Sequence, residues 1–385
     1  MDPNADRLRV VIVGGGIAAA EAALALRAYA ADRVDIEIVA AQTVMPFRPA
    51  STVARFTKEQ PQQFSLHALA RDVGATFLQG RLEAVAGKVK RIRLASGAQR
   101  DYDVLVLALG ARARAALPGA VMFRDQRDAG QLQRVVEELR AGTWRGLAVA
   151  VPAGAGWTLP AYELALLVAG EVQRLGLRTQ ISLVTPEPAP LAAFGEHVSD
   201  AVASLLADRG VRVVCDALAE SVDRRGLRVR DRKRIRADRV IALPALVGQR
   251  ISGLPADSDG FVPTQPRGCV VGMRDVYAAG DMTAFAIKQG GLAAQQADVV
   301  AALVATRAGA TVALPPTGLY LRAQLFGAPE PLFLESTLDP RGRPLAGATY
   351  GTAPWWPQAT LFGRHVSPWM ARQALASGPG LVLSA

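Results

Sequence analysis

Three glycine-bearing turns hold the residues of this chain whose types and spacing could do chemistry. The first, Gly14-Gly15-Gly16-Ile17-Ala18-Ala19, follows the apolar run Arg9–Val13 and opens an Ala- and Leu-rich stretch over Ile17–Tyr29. A glycine elbow between strand and helix lets the backbone approach a pyrophosphate, while the helix start offers unsatisfied N–H groups and the positive end of its dipole. The second, Pro152-Ala153-Gly154-Ala155-Gly156-Trp157-Thr158-Leu159-Pro160, stands between another apolar run and another helical pattern. The third comes late, where Val276-Tyr277-Ala278-Ala279-Gly280-Asp281 reads as a strand ending in Gly-Asp, ahead of Lys288-Gln289-Gly290-Gly291-Leu292 and a helix through Ala305.

Other chemistries find little support. Cys215 and Cys269 are far apart and form no C-x-x-C or C-x4-C pair, so dithiol chemistry is not expected. His67, His197 and His365 are scattered among non-ligand neighbours, and no metal-site spacing appears. No uncharged apolar run reaches the roughly 18–20 residues that span a bilayer, because Glu163, Glu171 and similar charges interrupt the richest segments. Val10–Val13 runs into glycines without a cleavage-site pattern, so it reads as a fold element and cytoplasmic residence is the expectation. The formal charge of +10 is densest over Arg224–Arg239. There Leu227, Val229 and Ile235 alternate with the arginines as in a hairpin with one solvated face, and no aromatic residue interleaves to stack a base, so no nucleic-acid partner is expected.

The elements that must position the turns repeat once. At 385 residues the chain is long enough for two or three domains. Arg9–Val13, the elbow, Ile17–Tyr29 and Val34–Val39 predict a βαβ unit. It continues through a loop with Phe47-Arg48-Pro49, a helix near Leu66–Val73, a strand at Thr76–Leu78, the β-rich Leu82–Leu94 and the strand Asp103–Leu109 closed by Gly110. The same order returns with strand Leu147–Val151, helix Tyr162–Leu175, strand Gln180–Val184, helix Val198–Asp208, strand Val211–Val214, the Arg-rich hairpin and strand Arg239–Leu243. Gly14 and Gly110 are 96 positions apart, Pro152 and Val247 are 95 apart, and Asp103–Ala108 is matched by Asp238–Leu243. A period of this size indicates two related α/β domains rather than a solenoid.

With the elbow, the strand end Leu107-Ala108-Leu109-Gly110 and the Gly280-Asp281 strand in this order, residues 8 to 310 resemble the FAD-dependent pyridine nucleotide–disulfide oxidoreductase superfamily. The likeness is greatest to the branch holding type II NADH dehydrogenases, sulfide:quinone reductases and flavocytochrome c sulfide dehydrogenases. It implies an α/β architecture of two Rossmann-like three-layer domains: a discontinuous FAD domain (1–118 and 258–312), a second NAD(P)-binding-like domain (119–257) and a C-terminal cap (313–385). The cofactor-binding set it implies is Gly14, Gly15, Gly16, Ile17, Ala18, Ala108, Gly110, Gly280, Asp281, Gly290, Gly291 and Leu292. Asp281 would bond the flavin ribitol. Amides near Gly291 and Leu292, with Lys288, would face negative charge on reduced flavin. The acid expected after the second strand is missing, because Ala40 stands there, so Gln42, Arg48 or a backbone group would take over the adenosine ribose.

The second turn departs further from the family. Aligned back from Glu163, its three glycine positions read Gly156, Thr158 and Ala161, with Trp157 and Pro160 adding bulk. NAD(P)H binding is therefore doubtful. The strand after it ends Val184-Thr185-Pro186-Glu187, with Glu187 only near the place of a ribose-binding acid. The tail concentrates aromatics at Trp355-Trp356-Pro357, Phe362 and Trp369 beside His365, a packing or homodimer surface in one reading and a quinone-facing or membrane-surface lip in another. The expected activity is FAD-dependent electron transfer from a small-molecule or protein donor to a quinone-like or protein acceptor. The alternatives are an NAD(P)H:acceptor reductase using the altered turn and a non-catalytic flavin-binding interaction protein. Cys215→Ser and Cys269→Ser variants are expected to keep flavin content and turnover, and loss of turnover in either one would restore thiol chemistry.

Overall fold

The computed structural model describes residues 7–47, 52, 62–124, 128–315, 318–355 and 361–377. Val10–Val13 are all buried, the pattern of a strand covered on both faces, and such strands belong in parallel sheets. Leu8–Val13 lies at the centre of a five-stranded sheet ordered Val276–Ala278, Val104–Leu107, Leu8–Val13, Val34–Ala40, Thr76–Gln79, with every pair parallel. Parallel neighbours need a crossover, and the helix Ile17–Ala30 supplies the first. Its alanines are buried on nearly every side, which their small size allows. The helix fits between the sheet and the late helix Gly290–Arg307, whose Ala293, Ala294, Ala297 and Ala301 share its core.

The second five-stranded sheet has the same construction, ordered Val121–Met122, Arg239–Ala242, Gly146–Ala150, Gln180–Val184, Val211–Val214 and again all parallel. The helices Leu159–Arg174 and Glu196–Asp208 share its core. The expected match between Asp103 and Asp238 has a physical basis. The Asp103 carboxylate accepts the Arg9 N–H at 2.9 Å, and Asp238 accepts the N–H groups of Arg145 and Gly146 at 2.7 and 3.0 Å. Each aspartate thus fixes where the central strand of its sheet begins. The chain passes between the sheets through two short strands that pair with each other, Arg112–Arg114 and Ala245–Val247.

Antiparallel layers cover the opposite faces. Leu82–Ala86, Arg91–Leu94 and Gln99–Asp101 form one, and the hairpin Ala219–Asp223 with Gly226–Val229 forms the other. Leu227, Val229 and Ile235 point into the core. The hairpin arginines stay outside, where Arg228 and Arg230 pair with Glu220, Arg234 with Asp223 and Arg239 with Glu138. This is the solvated-face arrangement expected from the alternation.

The tail, expected as a C-terminal cap, contains an antiparallel sheet of Leu319–Leu325, Leu332–Leu338 and Pro344–Tyr350. The helix Val366–Ser377 follows. Among the described tail aromatics, Trp355 is 6% exposed and Trp369 1%, so these two rings are packing residues; Trp356 and Pro357 lie outside the described residues. No helix among the described residues is long and apolar enough to cross a membrane.

The last helix is fastened by a buried carboxyl. Glu21, fully buried in the helix Ile17–Ala30, accepts the N–H groups of His365 and Val366 at 3.0 and 2.6 Å. Beside it Tyr29 donates to Asp298 at 2.6 Å, the His365 ring lies 3.6 Å from the same carboxylate, and Trp369 Nε1 donates to Asp72 at 2.9 Å. Burial pushes the Glu21 carboxyl from its ordinary 4.5 to about 7, against the pull of the two amides. A carboxyl raised on folding favours the fold while protonated. Its contribution is complete below about 4.5 and fades as pH rises through about 7. Glu21→Ala, which orphans both amides, is expected to lower stability by roughly 1–3 kcal/mol. Glu21→Gln is expected to reduce the fall in thermal stability across that pH interval, the buried Glu163 supplying the remainder, and an unchanged profile would refute the assignment.

Candidate functional site

A cavity of about 540 Å³ opens where the carboxyl ends of the first sheet meet the second glycine turn and the C-terminal segment. Crevices beyond the carboxyl ends of parallel strands are where such sheets bind ligands, and this volume lies in the range of small-molecule sites. The elbow forms one wall, and its three glycines have different reasons for being glycine. Gly14 has φ +148°, donates to Val39 O at 2.8 Å, and leaves no room for a side chain because a Cβ would fall 2.2 Å from the Ala108 carbonyl oxygen. A Cβ on Gly15 would stand 2.8 Å from a Leu66 methyl and 3.1 Å from the Ala40 Cβ. Gly16 has an ordinary extended backbone, and a Cβ there would meet nothing within 4 Å. Packing therefore explains the first two. At the third the open space lies in the cavity, against the first turn of a helix, where a pyrophosphate fits and a Cβ would intrude.

Most of the expected residues come together on this wall. Ile17 and Ala18 continue it from the elbow, Ala108 and Gly110 reach it from the neighbouring strand end, and Gln42 from the end of the second strand. Arg48 lies outside the described residues. Gly280, at φ +76°, is pinched between helices, since a Cβ would approach Ala293 and Ala18 Cβ at 3.1 and 3.2 Å. Its N–H donates to Gln296 Oε1 at 2.8 Å, and the next residue, Asp281, is thereby set on the cavity wall.

The start of the late helix differs in part from expectation. Gly290 lines the cavity, but Gly291 and Leu292 are not among its lining residues. The Leu292 amide donates to Gln289 Oε1 at 2.8 Å. That bond caps the helix and leaves the N–H unavailable to a cofactor, which revises the expectation for Leu292. The two glycines make room for the tail: a Cβ on Gly290 would lie 2.5 Å from a Leu361 methyl, and one on Gly291 would lie 3.2 Å from Phe362 O.

Lys288 is on the wall and only 7% exposed. Its Nζ donates to the Thr283 carbonyl and lies 3.7 Å from the centre of the Phe261 ring. Burial pulls the ammonium down to about 8, with Asp281 and Asp257 pulling the other way.

Glu163, in the sequence an alignment mark and a charge that breaks an apolar run, lines the same cavity at 3% exposure. Thr52 Oγ1 donates to it at 2.7 Å, and burial pushes its carboxyl up to about 8. The signal was available as an acid in an otherwise apolar helical run, Leu159–Ala169. Arg81 was also missed, because nothing in its local sequence marks a residue that only the neighbouring strand end brings to the wall.

The second turn is closed from within. Glu187 accepts from Thr158 Oγ1, Tyr162 OH and Thr185 Oγ1 at 3.0, 2.7 and 2.9 Å, so its carboxylate is occupied by the turn itself. Burial holds that carboxyl above its ordinary range. Gly156 gives its carbonyl to the Lys288 N–H at 2.9 Å, and a Cβ there would collide with the Lys288 side chain at 2.7 Å. Pro160, in the first turn of the helix, removes an N–H that a phosphate would use. Cys215 and Cys269 are free, neither lines the cavity, and burial pushes both thiols up.

Residues 8–298 match the pyridine nucleotide-disulphide oxidoreductase family. The chain belongs to that family. It is 30% identical over 296 residues to the ferredoxin–NAD(+) reductase component of the anthranilate 1,2-dioxygenase system of Burkholderia cepacia, covering 71% of this chain and 67% of that protein. An NADH dehydrogenase-like protein of Mycobacterium tuberculosis is 26% identical over 299 residues, covering 72% and 73%. The sulfide:quinone oxidoreductase of Aquifex aeolicus shares the fold with a TM-score of 0.79 at 18% identity, covering 89% of this chain and 86% of that one. The protein is thus an FAD-dependent oxidoreductase that transfers electrons through its flavin. As a member of this family it should show a clean contrast at the elbow. Gly14→Ala is expected to abolish soluble, folded protein. Gly16→Ala is expected to unfold at close to the wild-type temperature while losing most of its flavin absorbance, and full flavin content in that variant would remove the pyrophosphate from the elbow.

Proposed function

We propose that the protein passes electrons from a donor other than NAD(P)H, a small reductant or a redox protein, to a quinone-like or protein acceptor. In this reading Gly14–Gly16 with Ile17 and Ala18 hold the FAD pyrophosphate, Ala108 and Gly110 border it, and Asp281 bonds the ribitol. When bound, FAD supplies the two-electron redox chemistry. The chain supplies position, charge and protons. Lys288 carries a charge at neutral pH that it loses as pH rises through about 8, so it favours an anionic cofactor more in neutral than in alkaline solution. Glu163, with its carboxyl near 8, keeps its proton at neutral pH and is the acid within the cavity able to give one up.

The observation that carries this reading is the internal occupation of Glu187 by Thr158, Tyr162 and Thr185. A nicotinamide dinucleotide needs an open glycine turn and a free ribose-binding group, and this turn offers neither. The names of the Burkholderia cepacia and Mycobacterium tuberculosis relatives favour a second reading, an NAD(P)H:acceptor reductase that reshapes the turn on binding. Anaerobic titration of the yellow protein with NADH, NADPH, sulfide and a reduced quinol separates the two. Under the first reading both nicotinamides leave the flavin spectrum unmoved on the timescale on which another donor bleaches it. Rapid stoichiometric bleaching by NADH or NADPH would replace it with the second.

A further inference from the structure

We infer that Phe261 is a positioning residue for the flavin's electron transfer: the face of its ring holds the Lys288 ammonium on the wall of the cofactor cavity. The inference rests on the role of Lys288 proposed above and adds the group through which that cation is kept in place.

The contact is built by backbone pairing. Val262 N–H donates to Met282 O and Ala284 N–H to Val262 O, both at 2.9 Å. The segment carrying Phe261 therefore runs beside the turn that carries Gly280, Asp281 and Thr283. Phe261 N–H donates to Asp257 Oδ1 and its carbonyl accepts the Asp257 N–H, each at 2.8 Å. These bonds set the buried ring against Lys288, with Nζ 3.7 Å from the ring centre. From the same pairing, the Thr283 carbonyl accepts one N–H of the ammonium. The second turn holds the lysine from another side: Gly156 O accepts the Lys288 N–H at 2.9 Å, and the lysine stem lies so close that a Cβ on Gly156 would collide with it.

Neither the ring nor the Thr283 carbonyl carries a charge. Thr283 O takes one of the three ammonium donors, and the negative face of the ring attracts the cation through its quadrupole. A carboxylate in the place of the ring would hold the ammonium and cancel its field. The ring holds it and leaves the field standing toward the cavity that Lys288 lines. The groups whose charge reaches Lys288 are Asp281, from the Gly-Asp turn, and Asp257, from the loop before Phe261. The second turn, Pro152–Pro160, and the helix start Gln289-Gly290-Gly291 bring no charged side chain. Burial works against the charged form of the lysine, and the ring works for it.

The test is the flavin midpoint potential of the FAD-loaded, full-length protein, followed against pH. In the wild type the plot is expected to break where Lys288 loses its proton, at about 8, and Lys288→Gln should lack that break. Phe261→Leu should move the break down by about one pH unit, the size of a desolvated cation–π contact. Pentafluorophenylalanine at position 261, which keeps the shape of the ring and reverses the charge of its face, should do the same. Phe261→Tyr, which keeps the negative face, should leave the break in place. A break that stays at its wild-type position in the fluorinated protein overturns the inference and leaves the role of Lys288 standing. A wild type without the break, or a break that Lys288→Gln retains, overturns that role and the inference with it.

Discussion

The close approach of two backbones, Gly14 against the Ala108 carbonyl, is the constraint on which the site depends. With 2.2 Å between that oxygen and any Cβ at position 14, the elbow can lie over the neighbouring strand end only as glycine. That contact fixes where the helix Ile17–Ala30 begins, and so where its unpaired amides face the cavity. The rest of the first unit is arranged to permit it. A helix built largely of alanine packs on a second helix through small side chains, and Gly280 is squeezed between them. Asp281 thus reaches the same wall from more than 260 positions away.

The two sheets share an architecture and differ at the turn after the central strand. Both are parallel, four of their five strands follow in the same order, and both use an aspartate to fix the start of the central strand; the fifth, at the edge, comes last in the chain in the first sheet and first in the second. They part at the turn. In the first unit the third glycine faces open space. In the second, hydroxyls from Thr158 and Tyr162 converge on Glu187, and Gly156 rests on Lys288. The fold tolerates this because sheet and helix packing is set by the apolar faces and not by the turn. The second turn has become a support for the wall of the first site, since its backbone holds the Lys288 loop.

The C-terminal segment adds a further support. Gln289 joins the late helix to the tail sheet by accepting from Leu292 and donating to Arg322 O. Leu361 and Phe362 occupy the space that Gly290 and Gly291 leave, and Glu21 holds the start of the last helix. Glu21 and Glu163 are acids kept in apolar surroundings, one fastening the tail and one facing the cavity. Burial dominates the state of both, which is why each holds its proton to a pH far above that of an exposed carboxyl.

The sequence by itself determined the order of strands and helices, the internal repeat, the elbow and the Gly-Asp strand. These are local patterns, in which unbroken apolar runs, glycines at strand ends and helical spacing carry their meaning within a few residues. It also showed that the second turn is altered. The tertiary structure decided what the altered turn does, because Glu187 meets Thr158 and Tyr162 only when strand and helix have packed. It likewise brought Arg81 to the cavity wall, Glu163 to Thr52, and Glu21 to His365 across 344 positions. The tail sheet was illegible for a related reason: its strands are only partly apolar and take their identity from pairing with one another and packing on the second unit. Local sequence fixes which backbone states are cheap, whereas the proton affinity and partners of a buried side chain depend on everything folded around it.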